Sequence, residues 1–427
     1  MSTISAVKGT RDFYPADMAV RDWLYETIRT VSEQFGYQEF EGPYLEKMEL
    51  YAAKSGEELV NEQSFVFEDR GGDIVALRPE LTPTLARMVA ARSRQLIQPI
   101  RWWSFGPFWR YERPQKGRSR EFFQWNIDLL GIVSPQADAE LAAIAATFFR
   151  AVGLTPKMIR IQINNRRFMD TKLEAIGIPL NSRPAVFHLI DRKDKMSERA
   201  WQEKANSIDI DKDQFSGLLQ LLENKDAWKD SDELCEFFDA VEIMGVADYI
   251  EYDPMVIRGL DYYTGTVFEA RDVSGRFRAI LGGGRYDNLV ADVGGDPIPG
   301  VGFAMGDIVI GIVLEENGVM PSLKTNPSDV FVPLFDEATL SESLRLAAEL
   351  RTAGLRVEWY PQPDKLKKQF KYADRNNIPL AVILGPDEIQ SGKVTIKDLR
   401  TVEQETVARS EMIDKIKNLL SADPPSK

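Results

Sequence analysis

Between Phe108 and Asp128 the chain reads FWRYERPQKGRSREFFQWNID, with polar and apolar positions alternating on both sides of a basic loop. Alternation at period two predicts two strands. The first sends Phe108, Arg110 and Glu112 to one face and Trp109 and Tyr111 to the other. The second sets Phe122, Gln124, Asn126 and Asp128 opposite Phe123, Trp125, Ile127 and Leu129. A face of Arg, Glu, Gln, Asn and Asp is costly to bury unless partners are supplied. The loop adds Arg113, Lys116, Arg118 and Arg120, cations suited to a polyphosphate. A basic run alone is more often a solvated hairpin tip, but the ordered polar face on both strands favours a site.

Helical spacing appears elsewhere. Val20, Trp23, Leu24, Ile28, Val31 and Phe35 predict a helix over 19–35, ended by Gly36. An extended segment, 37–45, follows, and its Pro43 marks an edge or an interface. Thr82-Pro83 and Ser134-Pro135 each read as an N-cap with proline at the first helical position, the second helix running to Gly153. From about 165 to 250 the pattern is charged and helical, an insertion or helical subdomain. Strand and turn signals resume at 252–271 and continue through Gly282-Gly283-Gly284. Residues 318–327, GVMPSLKTNP, read as a linker. Beyond it strands and helices alternate, which predicts a compact α/β domain. Its second helix, 364–375, carries Lys365, Lys367, Lys368 and Lys371, a solvated face by default and less readily an RNA contact.

Composition narrows the possibilities. A length of 427 residues with 44% hydrophobic content predicts two or three domains with substantial cores. Lys plus Arg number 53 against 66 Asp plus Glu, a net charge of −13. No global positive field draws nucleic acid in, so any RNA contact must come from a local patch. The single cysteine, Cys235, excludes an intrachain disulfide and a cysteine-cluster zinc site, and its surroundings suggest a core thiol. The lone His188, in an apolar run, excludes a histidine metal cluster and reads as structural. No charge-free apolar stretch nears the ~18 residues of a membrane span, and the N-terminus lacks a signal-peptide core. A soluble, cytoplasmic protein is expected.

Two nucleotide signatures fail on inspection. Gly300, Gly302 and Gly306 are spaced GxGxxxG, and Gly392-Lys393 is followed by Val394 instead of the P-loop hydroxyl residue. A stronger segment is VIRGLDYYTGTVFEAR, 256–271, in which Arg258 precedes Gly259 and the adjacent Tyr262 and Tyr263. Alone it would be a surface turn with a packed aromatic pair. Its companion GGGRYD, 282–287, has glycines that let backbone approach a ligand closely, so the two together read as parts of a site.

FWRYERPQKGR with EFFQ, RGLDYYTGTVFE, GGGRYDNLV and PGVGFAMG, in this order, resemble class II histidyl-tRNA synthetases, as do GTRDFYP and the terminal α/β unit. The resemblance covers nearly the whole chain. It implies an α+β fold with a six- to seven-stranded antiparallel catalytic sheet in a domain over 1–325, the helical insertion within it, and an anticodon-binding α/β domain over 328–427. The helix 19–35 and the Pro43 segment look like the family's dimerisation motif, which implies a homodimer. The implied activity is ATP-dependent formation of histidyl-adenylate and transfer of histidine to tRNA(His), with Mg2+ accompanying ATP. By the same resemblance Arg110 would hold the α-phosphate and the substrate carboxylate, while Glu112 and Arg118 engage ATP. Arg258 would offset charge on the α-phosphate. Glu80, Thr82 and Gln124 would hold the α-amino group, Tyr263 and Asp128 the imidazole, with Tyr262 and Tyr286 also lining the histidine pocket. A non-catalytic paralogue that binds histidine to regulate its biosynthesis is the alternative, although such relatives typically lack the C-terminal domain.

One departure stands out. The family's third motif ends in a helix that begins Leu-Glu-Arg, and its arginine packs over adenine. Here GFAMG is followed by Asp307-Ile308-Val309. Arg278, in FRAILGGGR, is the expected substitute for ATP binding.

Overall fold

The computed structural model describes residues 3–52, 63–193, 196–208, 210–257 and 262–421. The chain divides into two units, Met1–Asp12 with Asp22–Pro321 and Phe13–Arg21 with Ser322–Lys427. The predicted helix over 19–35 runs Pro15–Gln34, beginning earlier because proline is well tolerated at a first helical position. Gly36, at φ 79°, follows its end.

The strands of the larger unit, in chain order, are β1 (Gln38–Glu39), β2 (Leu45–Lys47), β3 (Phe65–Glu68), β4 (Ile74–Leu77), β5 (Ile100–Trp109), β6 (Glu121–Leu130), β7 (Ile159–Asn165), β8 (Ile250–Tyr252), β9 (Thr266–Asp272), β10 (Leu281–Tyr286) and β11 (Gly300–Gly306). Eight form one sheet in the order β1-β5-β6-β11-β10-β9-β7-β8. Its central pairs are antiparallel, while β1 lies parallel to β5 and β8 parallel to β7. The sheet is thus larger than the six or seven strands expected. The additional strands, of 2 and 3 residues, are too short to show alternation. β2, β4 and β3 make a separate small sheet.

The apolar row of β6 behaves as its alternation requires. Trp125, Ile127 and Leu129 are buried in the main core, where Trp125 meets Phe303 edge-on at 4.8 Å and Phe148 at 5.3 Å. Phe148 belongs to the helix Pro135–Ala151, whose start is capped by Ser134 accepting from the Ala137 N–H at 3.1 Å. Gly153, at φ 82°, follows its end. This cap and this terminator stand as the sequence predicted.

Other expectations change. Thr82 does not cap its helix: Thr82–Arg92 has Leu81 at the N-cap without a side-chain bond, and Thr82 is already helical. The first hairpin strand stops at Trp109 instead of continuing to Arg113. Beyond it the two arms stay linked by the Arg110 N–H donating to the Arg120 carbonyl at 2.9 Å and by an isolated antiparallel bridge between Gln115 and Arg118. His188 is exposed on the helix Arg183–Asp191, so its apolar neighbours Val186, Leu189 and Ile190 bury the helix without it. Cys235 is half-buried, its thiol directed at the Trp228 and Lys229 carbonyls instead of at apolar neighbours.

The region after β7 is largely helical, with Arg166–Ala175, Arg183–Asp191, Glu198–Ala205, Lys212–Glu223 and Asp232–Ile243. Phe168, Leu218 and Phe237 from these helices join Ile161 and Phe268 of the sheet in one core. Burying them against the sheet removes their apolar area from water without a second centre.

The smaller unit adds β12 (Val330–Val332), β13 (Val357–Trp359), β14 (Leu380–Ile383), β15 (Lys393–Asp398) and β16 (Gln404–Ala408), ordered β13-β12-β14-β15-β16. Val330, Val332, Leu346, Leu380 and Ile416 are among the residues of its own core.

Candidate functional site

On the polar side of β6, Gln124, Asn126 and Asp128 stand at alternate positions. Asn126 and Asp128 are buried. Asp128 lies opposite Gly302 of β11. A Cβ at Gly302 would stand 2.0 Å from Asp128 Oδ1, so only glycine leaves room for the carboxylate. Gly284 on β10 does the same for Tyr263, whose ring lies 2.9 Å from where a Cβ would be. The glycines thus clear the sheet surface for side chains that come from elsewhere.

Tyr286 Oη donates to Asp128 Oδ1 at 2.5 Å. Burial pushes the Asp128 carboxyl up to about 7, against the stabilising hydrogen bond from Tyr286. Burial and the nearby Asp128 both hold Tyr286 well above its usual range, so it stays a phenol. The direct partner of Asp128 is Tyr286, which β10 delivers after the triple glycine.

A second cluster lies at Glu80, which is buried. Tyr262 Oη donates to Glu80 Oε2 at 3.3 Å. Burial, with Glu80 adding to it, raises Tyr262, and a hydrogen bond with the Thr82 side chain opposes them. Thr82 is free for this contact because it does not cap the helix. Tyr262 packs at 4.9 Å from Tyr263 and 6.1 Å from Tyr286, joining the two clusters. Arg258 lies outside the described residues, four positions before Tyr262.

The other end of the hairpin is cationic. Arg110 Nε donates to the Pro79 carbonyl at 3.0 Å, and the guanidinium stands 5.3 Å over the Phe122 ring. This ties the hairpin to the segment that carries Glu80. Arg118 Nε lies 2.6 Å from Glu112 Oε2, although the contact lacks hydrogen-bond alignment. Partial burial and the Arg118 charge weaken the hold of Arg278 on its proton, while Glu112 strengthens it. Arg278 thus stands within electrostatic reach of both, as a substitute cation must.

Residues to which the sequence reading gave no role hold these parts in place. Arg78 is fully buried, its guanidinium 4.5 Å over Tyr44 and 4.4 Å over Phe108, donating to the Pro107 and Gly42 carbonyls and paired with Glu41. Arg285 forms a buried pair with Asp138 at 2.5 Å and also donates to the Ile132 carbonyl at 3.0 Å. Asp307, at the helix start where the family pattern differs, accepts from the Phe123 N–H at 2.9 Å and pairs with Arg11 at 2.7 Å. β11 ends opposite Gln124, so the next outward N–H of β6 needs a new acceptor, and Asp307 provides it. The only sequence signal for Arg11 was its place in GTRDFYP.

Comparison with known proteins now decides the family. The histidyl-tRNA synthetase family model matches residues 9–307, and the anticodon-binding domain model matches 319–419. The chain belongs to the histidyl-tRNA synthetase family. The histidine–tRNA ligase of Opitutus terrae is 38% identical, with 99% of this chain and 100% of that one covered. That of Leptospira biflexa is 36% identical over 98% of each. Among solved structures, the histidyl-tRNA synthetase from Nostoc superposes with a TM-score of 0.81 at 27% identity, covering 98% of this chain and all of that one. A histidyl-tRNA synthetase thus shares both the antiparallel centre of the large sheet and the C-terminal unit.

Proposed function

We propose that this chain activates histidine with ATP and transfers it to tRNA(His). The observation that carries the reading is one face of the large sheet. It holds buried polar groups suited to an amino acid around Asp128 and Glu80, and a cationic hairpin suited to phosphates at the other end of the same strand. In the first step the histidine carboxylate attacks the α-phosphorus and pyrophosphate leaves. No protein nucleophile is needed, only alignment and compensation of charge.

Arg110 bridges substrate carboxylate and α-phosphate in this reading, and Arg258 is the second cation there. Glu80, Thr82 and Gln124 hold the α-amino group, with Asp128 and the tyrosines Tyr262, Tyr263 and Tyr286 around the imidazole. Arg118 and Arg278 face the phosphate tail. Glu112 Oε2 is buried and has no aligned donor, a hard oxygen of the kind that suits Mg2+ entering with ATP. The metal would neutralise charge on the departing pyrophosphate.

Exposed Tyr44, Leu45, Val66, Phe67 and Ile74 on and beside the small sheet support a homodimer, since such residues in company favour a partner surface. Exposed Lys365 at the N-cap and Lys367, Lys368 and Lys371 on Leu366–Arg375 support contact with tRNA, now that the surrounding unit belongs to an anticodon-binding family. Among the described residues no helix is long and apolar enough to cross a membrane. Work on tRNA is expected in the cytoplasm.

ATP–pyrophosphate exchange with each of the twenty amino acids, followed by charging of bulk tRNA, tests the whole reading. Exchange with histidine alone, and histidine transferred to tRNA, is the expected result. Histidine binding without exchange would favour the regulatory alternative.

A further inference from the structure

The segment Tyr262–Gly265, which leads both tyrosines into β9, lies outside any ladder and takes its hydrogen bonds from elsewhere. Arg166 supplies two of them. Its backbone N–H donates to the Gly265 carbonyl at 2.9 Å, and its Nη1 donates to the Tyr263 carbonyl at 3.0 Å. Between these, the Thr264 N–H donates to the Arg285 carbonyl at 2.8 Å and its hydroxyl to Asp287 Oδ2 at 2.8 Å. A carbonyl away from water needs a donor, and in a segment without a ladder that donor also sets where the peptide points.

Arg166 itself starts from a fixed backbone. It opens the helix Arg166–Ala175, which Asn165 at the end of β7 caps by accepting from the Phe168 N–H at 3.1 Å. Its guanidinium stands 5.6 Å over the ring of Phe187, on the helix Arg183–Asp191. Partial burial raises the Asp170 carboxyl, and the charges of Arg183 and Arg166 oppose that rise, so Asp170 faces both guanidinium groups. Arg166, Asp170, Arg183 and Phe187 line a cavity of about 360 Å³.

We propose that Arg166 is a positioning residue: by holding the Tyr263 carbonyl it fixes the segment that brings Tyr262 to Glu80 and lays Tyr263 over Gly284. This rests on the histidine-site reading above and extends it to the helical region after β7. Arg166 acts through the segment and not on substrate. A planar guanidinium suits the task, because it can donate at its edge to a carbonyl while its face packs on an aromatic ring. A shift of the segment by a fraction of an ångström then reaches amino-acid binding from a side chain outside the site.

The test is ATP–pyrophosphate exchange, with KM for histidine, KM for ATP and kcat measured in parent and variants. Arg166→Ala should raise the KM for histidine by about tenfold, the worth of one charge-assisted hydrogen bond, with kcat and the KM for ATP within about twofold. Methylguanidinium, which matches the deleted head group and can enter the cavity beside Phe187 and Asp170, should bring the histidine KM back to within about threefold of the parent. Arg166→Lys should restore part of the loss, and it serves if the alanine variant melts early. Phe187→Leu, which removes only the aromatic face beneath the guanidinium, should raise the histidine KM by about threefold.

A parental histidine KM in Arg166→Ala overturns the proposal. Equal rises in the two KM values also overturn it, because they mark a general loosening of the fold. So does failure of both methylguanidinium and Arg166→Lys to recover histidine binding. Tyr262→Phe in the same assay separates the two levels. If it leaves the histidine KM unaltered, the site reading itself fails, whereas a rise there with none in Arg166→Ala confines the failure to this proposal.

Discussion

The two ends of the sheet face solve different problems. At the end proposed to take histidine the polar groups are buried and already bonded to one another: Asp128 to Tyr286, Glu80 to Tyr262, and Arg285 to Asp138 behind them. At the hairpin end the cations are largely accessible, with Arg118 39% and Lys116 69% exposed, and their acidic partners are local or on the surface. Distinguishing a small neutral ring requires donors and acceptors that water cannot satisfy, so that site must be dry and formed in advance. Attracting a polyphosphate requires charge, which acts through solvent and tolerates a mobile loop. One strand serves both because Gln124, Asn126 and Asp128 keep the middle of one face polar.

The sharpest way to break this contrast is through stability. Arg285→Ala strands the Asp138 carboxyl, which burial already pushes up against the pull of Arg285. A loss of about 3–5 kcal/mol in urea unfolding is expected, as for a buried pair missing one partner. Lys116→Ala, at the accessible pair with Glu316, should cost no more than about 1 kcal/mol. Equal losses would erase the distinction between the ends.

Next comes Arg278, the proposed substitute cation. Arg278→Ala should raise the KM for ATP by about tenfold, the worth of one charge-assisted contact, and leave the KM for histidine unmoved. Exchange at the parental rate under limiting ATP would remove Arg278 from the site. A smaller effect is expected from Arg11→Ala. Burial raises the Asp307 carboxyl and Arg11 opposes it, so the variant loosens the acceptor for the Phe123 N–H at the root of the hairpin. About a threefold rise in the KM for ATP is expected, matching one modest hydrogen bond. A change confined to histidine would contradict it.

The finest effect is that of pH. Asp128 sits near 7 because burial disfavours its charge. The ionised form accepts from an imidazole N–H more strongly than the protonated one, so histidine affinity should be highest above about 7 and fall as pH drops through it. Free histidine also protonates near 6.5, and Asp128→Asn isolates that part by removing the enzyme's own titration. The stability sign is opposite. A carboxyl raised in the folded state binds protons more tightly there, so its folding cost is present above 7 and relieved as pH falls towards 4. A KM for histidine with the same pH profile in parent and Asp128→Asn would refute the assignment.

Much of this was legible in the chain because it is local. Alternation in 122–129 separated the core row from the polar row of β6, although from Trp125 onward that strand is buried on both faces. RGLDYYTG and GGGRYD marked a second wall through their composition. What stayed hidden lies in pairings between distant residues. Tyr286 and Asp128 are 158 residues apart, and Arg11 and Asp307 are 296 apart. Arg78 carried no signal, because a buried guanidinium reads as a surface charge until Glu41, Tyr44 and Phe108 are brought around it. Thr82 misled for the opposite reason: its sequence suits a cap, but the helix starts one residue earlier and turns its hydroxyl to Tyr262.

The most direct measurement is the pair of KM values, for histidine and for ATP, in Asp128→Asn and in Arg118→Ala under one exchange assay. A two-ended face predicts that the first variant raises the histidine value by at least about tenfold and leaves ATP within twofold, and that the second does the reverse. Variants that shift both substrates alike would show one undivided site and contradict the division of labour along β6.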